Sequence, residues 1–188
     1  MRGGAGWVWG MWLGALLPAL TAHAGEPMRV LWWTGDVSVM VGEKTVPTLG
    51  AAHETQDLLG VRVTFGKNVW PVAVALDVEF SESATDAAGN RMELTEGRVG
   101  VRKSHGGGVL HPFWGGGLSV ARLKVIEPPL TGGYGPGLGY WLGAGATLDI
   151  SRGSHLGASW VHSRLNLDTR TVTVDRSDGV RLFWGWRW

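Results

Sequence analysis

The C-terminal segment Val180-Arg-Leu-Phe-Trp-Gly-Trp-Arg-Trp188 limits the possible folds more than any other stretch. Val180, Leu182, Trp184, Trp186 and Trp188 alternate with Arg181, Phe183, Gly185 and Arg187. A strand sends successive side chains to opposite faces, so this segment reads as a strand with one greasy, Trp-tipped face and one Arg-bearing face. A helix would mix the two sets around its circumference.

The same period of two recurs upstream. Leu59, Val61, Val63 and Phe65 alternate with Gly60, Arg62, Thr64 and Gly66. Val72 to Phe80 alternates with Ala73, Ala75, Asp77 and Glu79, and Leu138 to Ile150 alternates with Gly139, Trp141, Gly143, Gly145, Thr147 and Asp149. Shorter matches cover Val37–Val41, Thr95–Arg102, Phe113–Val120 and Leu156–Ser163. These are half-apolar strands, and with the terminal one they number eight. Connections at Lys67–Trp70, Ser104–Leu110 and Ser151–Ser154 are short or Gly-rich. Those at Val46–Asp57, Glu82–Asn90, Ile126–Pro136 and Leu167–Ser177 read as longer loops, although Asp168–Asp175 is β-prone and is expected to prolong the last hairpin. Short turns on one side and long loops on the other are the pattern of a membrane β-barrel.

Residues 1–24 read as a cleaved secretory signal and residues 25–188 as the barrel domain. Arg2 is the basic start, Trp7 to Leu20 the apolar run, and Ala22-His23-Ala24 the cleavage pattern. The apolar run is shorter than the roughly 20 residues a helical span needs. Arg2 is the one Lys or Arg in that segment, so 16 of the 17 basic residues remain against 16 acidic ones. Balanced charge gives no case for nucleic acid. The absence of cysteine excludes a disulfide framework and a thiolate metal site.

Alternation alone does not say which face is buried. A soluble, lipocalin-like periplasmic barrel would turn its aliphatic set inward, whereas a membrane barrel turns it to lipid. Arg181 lies on the order of 18 Å above Trp188 along a tilted strand, within an apolar band about 25 Å tall. An Arg facing lipid there costs about 2–4 kcal/mol, so a membrane barrel must hold it inside. The aromatics favour the membrane: Phe65, Trp70, Trp114, Trp186 and Trp188 fall near short-turn ends and Phe80 and Tyr140 near long-loop ends, whereas Trp160 falls nearer mid-depth and does not fit a girdle. The expected fold is all-β, an eight-stranded antiparallel up-and-down transmembrane β-barrel behind a signal peptide, in the outer membrane of a Gram-negative cell.

The inward set forms a candidate polar network of Arg62, Asp77, Glu79, Glu96, Arg98, Arg102, Asp149, Arg181 and Arg187. Eight strands leave an interior just wide enough for side chains. Mixed charges favour a salt-bridged plug over a porin-like channel, which usually carries rings of one sign. Long Arg side chains are expected to fill the space left by Gly115, Gly117, Gly139, Gly143 and Gly145. No cofactor, metal-binding or catalytic motif is read. His105, His111 and His155 read as solvated turn residues. His162 and Ser163 are adjacent, so a strand sends them to opposite faces, unlike the His-x-Ser-Asn pattern of outer-membrane lipid A deacylases.

The chain resembles small OmpA/OmpX-type outer-membrane β-barrel proteins, in particular a proteobacterial group of such barrels. The stretches that carry the likeness are Leu59–Gly66, Trp70–Asp77, Gly100–Lys103, His111–Leu118 and the terminal Trp-Gly-Trp-Arg-Trp. The resemblance implies contact with outer-membrane lipid and lipopolysaccharide. It also implies assembly by the barrel-assembly machinery, with Trp184, Trp186 and Trp188 in the signal that machinery reads. The family usually ends in Phe; Trp188 keeps the aromatic. The expected role is structural or interactive through surface loops rather than enzymatic. A lipid-modifying enzyme and a soluble ligand-binding barrel are the alternatives.

Overall fold

A computed structural model describes residues 33–47, 54–67, 70–85, 91–106, 108–127, 130–168 and 173–188. The expected signal segment, residues 1–24, lies outside them. Eight strands follow in order: β1 (Trp33–Val46), β2 (Glu54–Lys67), β3 (Ala73–Ser83), β4 (Arg91–Ser104), β5 (Leu110–Glu127), β6 (Leu130–Asp149), β7 (Ser154–Asp168) and β8 (Thr173–Arg187). Each pairs antiparallel with the next, and β8 returns to pair with β1, giving a closed barrel. At the seam Trp188 N–H donates to Gly35 O at 3.0 Å, and Gly35 N–H donates to Trp188 O at 3.2 Å. Closure leaves no unpaired strand edge, which a barrel in lipid requires.

All eight expected strands are present, but most run longer than their alternating cores. The connection expected as a loop at Ile126–Pro136 is largely strand. Val125 pairs with Gly132, Ile126 with Thr131 and Glu127 with Leu130. A register shift between Arg122 and Lys124 takes up the irregular Gly-Pro sequence opposite, so the ladder continues past punctuation that reads as a loop. Likewise β7 and β8 extend through Asp168 and from Thr173, prolonging their hairpin. The 20 residues of β6 span on the order of 50 Å, about twice the apolar band of a membrane barrel. The far end of the β5–β6 hairpin therefore rises well above the apolar band.

At the short-turn end two glycines adopt the left-handed conformation that tight reversals need, Gly106 with φ 106° and Gly153 with φ 88°. Here too Trp33 packs against Phe65 and Trp70, with centroids 6.4 and 5.8 Å apart, and Trp184 lies edge-on to Trp186 at 4.7 Å. Trp33 joins the expected aromatic girdle.

The polarity of both faces reverses at one level. Over the short-turn portion the outer face is apolar and exposed, including Val41, Leu76, Val78, Val99, Leu118, Leu142, Leu156, Trp160 and Leu182. The inner face at the same depth carries Arg62, Asp77, Glu79, Glu96, Arg98, Arg102 and Arg181, all buried. Higher up, the outer face turns polar. Arg91 pairs with Glu82 and Glu93 at 3.0 Å, and Lys124 pairs with Glu93 at 3.1 Å. Inside, that level is an apolar cluster that includes Val46, Met92, Leu94, Leu123, Leu165 and Val174. Single strands show the switch: β4 buries Met92 and Leu94, then Glu96, Arg98 and Arg102. The lower part is solvated by lipid outside and by its own charges inside; the upper part is built like a water-soluble core.

Candidate functional site

The charged layer of the lumen is centred on Glu79 of β3. Arg181 on β8 donates to its carboxylate from Nε and Nη2, each at 2.9 Å, a forked charge-assisted contact. Lys44 on β1 donates at 2.6 Å, and Arg98 on β4 donates from Nη2. Lys44 also bonds Glu96, which accepts a further hydrogen bond from Ser163 on β7 at 2.6 Å. Five strands thus meet on two carboxylates. Period-two alternation points all these side chains inward, and strand register brings them to one height.

A second centre lies nearer the short-turn end. Asp77 accepts from Arg102 Nη2 at 3.2 Å and makes charge contacts with Arg62 at 3.5 Å and Arg98 at 3.9 Å. Arg102 also donates to Thr64 at 2.9 Å, and Arg62 donates to Ser159 across the barrel at 3.1 Å. Lys44, Arg62, Arg98, Arg102 and Arg181 face Asp77, Glu79 and Glu96, so the buried layer holds more cations than carboxylates. Among the described residues, Arg62 Nε, Arg98 Nε and Nη1, and Arg102 Nε find no hydrogen-bond partner.

Of the nine residues read as a luminal network, seven are brought together in these two centres. Asp149 and Arg187 are not. They sit at the short-turn rim, 34% and 38% exposed, and pair with each other at 3.0 Å, with His111 also 3.0 Å from Asp149. The strands end there, so the inner face opens to solvent. Lys44 is the member the sequence reading missed. Its signal was present, because the inner set Ser38, Met40 and Gly42 continues in step to Lys44 and Val46.

The glycine-rich wall holds aromatic rings rather than guanidinium groups alone. A Cβ on Gly115 would stand 3.1 Å from the Trp141 ring, and one on Gly145 would stand 2.7 Å from the Phe113 ring. Arg62 lies over Phe183 at 4.3 Å and over Phe113 at 5.3 Å, and Arg102 also lies over Phe113 at 5.3 Å. Rings fill the space and the arginines stack on them, because a flat π-face both packs against bare backbone and attracts a cation.

The expectation for His155 is overturned. It is buried in the lumen, not solvated, with Nε2 3.0 Å from Ser38 Oγ. Position 155 falls on the inner set of β7, where barrel closure covers it. The pair has the reach of a hydroxyl and a base, but the side chains are sealed from solvent and His155 Nδ1 has no partner to orient it. His111 bonds Asp149, and His105 is exposed. Among the described residues no group of His, Cys, Asp and Glu is arranged to hold a metal ion.

On the outer face, His162 stacks on Trp160 and places Nδ1 2.9 Å from Asp178 of β8. Ser163 points the other way, into the lumen. The next residue on the outer face is Arg164. The three terminal tryptophans, Trp184, Trp186 and Trp188, lie on the outer face at the short-turn end.

No family model matches the chain, and no curated protein is similar to it in sequence. Solved structures are similar in fold. Neisserial surface protein A (NspA) aligns with a TM-score of 0.64 at 11% identity, covering 82% of this chain and 96% of that one. The attachment invasion locus protein Ail of Yersinia pestis aligns at 0.57 and 12% identity, covering 82% and 98%. The outer-membrane enzyme PagL aligns at 0.50 and 18% identity, covering 80% and 97%. Together with the closed strand order, the lipid-type outer face and the charged lumen, these likenesses show that the chain has the fold of the small eight-stranded outer-membrane β-barrels.

Proposed function

We propose that the protein is a non-conducting outer-membrane barrel that serves as a rigid platform, with its structural or interaction role carried by the end that stands above the membrane. The observation that carries this reading is the pair of buried layers, one charged and one apolar, that occupy the lumen. Lys44, Arg98 and Arg181 close on Glu79 in the charged layer, and the Leu94–Leu123–Leu165 layer lies directly above it. An ion would have to break the first and dehydrate in the second. The polar outer collar and the protruding β5–β6 hairpin supply the surface that a partner would meet. Outer-membrane lipid and lipopolysaccharide surround the belt in this reading, and the barrel-assembly machinery inserts it through the aromatic end of β8.

Planar-bilayer recording tests the central claim. The expected result is no stable open state; a steady conductance lasting seconds would refute the plug.

An enzymatic reading draws on the fold shared with PagL and on the His162–Asp178 pair. It lacks a nucleophile on the same face, since Arg164 follows His162 there and Ser163 is buried against Glu96. We therefore propose no catalytic role for the pair. Mass spectrometry of lipid A after overexpression is expected to show no change.

A further inference from the structure

We propose that the short-turn mouth of the barrel is a binding site for a phosphate-type oxyanion taken from the periplasm. A cavity of about 260 Å³ opens at this end, and of the buried charged residues of the lumen Arg102 lines it. Its lining includes Lys67, Arg102, Lys103 and Arg187, with Asp36 as the single carboxylate and Thr64 as a hydroxyl. Asp36 forms no ion pair among the described residues, whereas two other nearby acids are committed elsewhere. Asp149 is held by Arg187 and His111, while Asp77 is shared among Arg62, Arg98 and Arg102.

The cations are not equally committed. Lys67 lies over the rings of Trp33 and Trp70 at 5.5 and 6.0 Å, and neither it nor Lys103 forms an ion pair among the described residues. Arg102 is 5% exposed, anchored through Nη1 to Thr64 and through Nη2 to Asp77, yet its Nε finds no hydrogen-bond partner among the described residues. A buried guanidinium with an unmet donor costs free energy unless something accepts from it. An oxyanion in the mouth would accept from Arg102 while balancing Lys67 and Lys103. Planar, forked donors beside ammonium groups suit phosphate oxygens. On the proposed reading of a non-conducting lumen, on which this point alone rests, the site is a dead end and the anion is retained rather than conducted.

The test is calorimetric titration of the full folded barrel, in neutral maltoside micelles at constant ionic strength, with inorganic phosphate and with pyrophosphate. Saturable binding is expected, tighter for pyrophosphate. Lys103→Gln and Lys67→Gln, both at the rim, should each weaken it about tenfold, the worth of one charge-assisted hydrogen bond. Arg102→Gln should weaken it further, with heat-modifiable gel mobility as the check on folding. Repeating the titration in nanodiscs with phosphatidylglycerol separates the sources. Competition assigns the site to a lipid headgroup phosphate, and undiminished pyrophosphate binding assigns it to a soluble anion; both uphold the site. Absence of saturable binding, or binding that the two lysine variants leave unchanged, overturns it.

Discussion

Glu79 receives donors from Lys44 on β1, Arg98 on β4 and Arg181 on β8, and is fully buried. Removing one member of such a group leaves the others charged and unpaired in a low dielectric, so Glu79→Ala should destabilise the barrel by about 3–5 kcal/mol. Urea titration of the protein folded in lipid vesicles would read this as a lower midpoint with an unchanged slope. Leu182, next along the chain from Arg181, is 61% exposed on the apolar face. Leu182→Arg puts a charge into lipid at a cost of about 2–4 kcal/mol. If Arg181→Leu and Leu182→Arg both left the urea midpoint unchanged, the assignment of faces would be wrong. The alternation in the sequence states which residue faces which way. It does not state that Arg181 meets Glu79, because those residues lie 102 positions apart and are brought together by closure.

At the level of the strand, β6 shows why glycine recurs on one wall. Gly143 and Gly145 leave bare backbone against which the Trp141 and Phe113 rings lie. Gly145→Val would force the Phe113 ring and the neighbouring backbone apart, an overpacking cost of about 1–3 kcal/mol, read again from the urea midpoint. Strand β8 shows a different economy. Its outer set is apolar from Val180 to Trp188, while its inner set runs Arg181, Phe183, Gly185 and Arg187. Trp188→Ser is expected to lower the heat-modifiable, folded fraction in cells more than it lowers stability in vitro, since the side chain is 54% exposed and its proposed role is in the assembly signal. Strand ends were less legible than strand faces. The Gly-rich run that pairs with Lys124–Glu127 reads as a loop by composition, yet it continues the ladder, because glycine punctuation marks bulges and close packing as well as turns.

Across the whole molecule, two solvents meet one wall. Below the polarity switch lipid selects an apolar exterior, and the interior must satisfy its own charges. Above it water selects a charged exterior, and the interior is an apolar cluster. This division predicts that exchanging the connections 47–53, 84–90 and 169–172 for short Gly/Ser linkers leaves heat-modifiable mobility intact, because the buried charged and apolar layers lie within the strands. Loss of folding on that exchange would place the stabilising contacts in the connections instead. What the sequence determined by itself was the strand count, the two faces of each strand and the outer-membrane character. A period of two, an aromatic end and charges at lipid depth are local properties of the chain. Only the tertiary structure decided that Lys44 completes the Glu79 cluster, that His155 is buried against Ser38, and that aromatic rings with arginines stacked on them lie against Gly115, Gly143 and Gly145. Those facts depend on barrel closure and strand register, which set the height and the opposite wall each inward side chain meets; alternation along a single strand encodes neither.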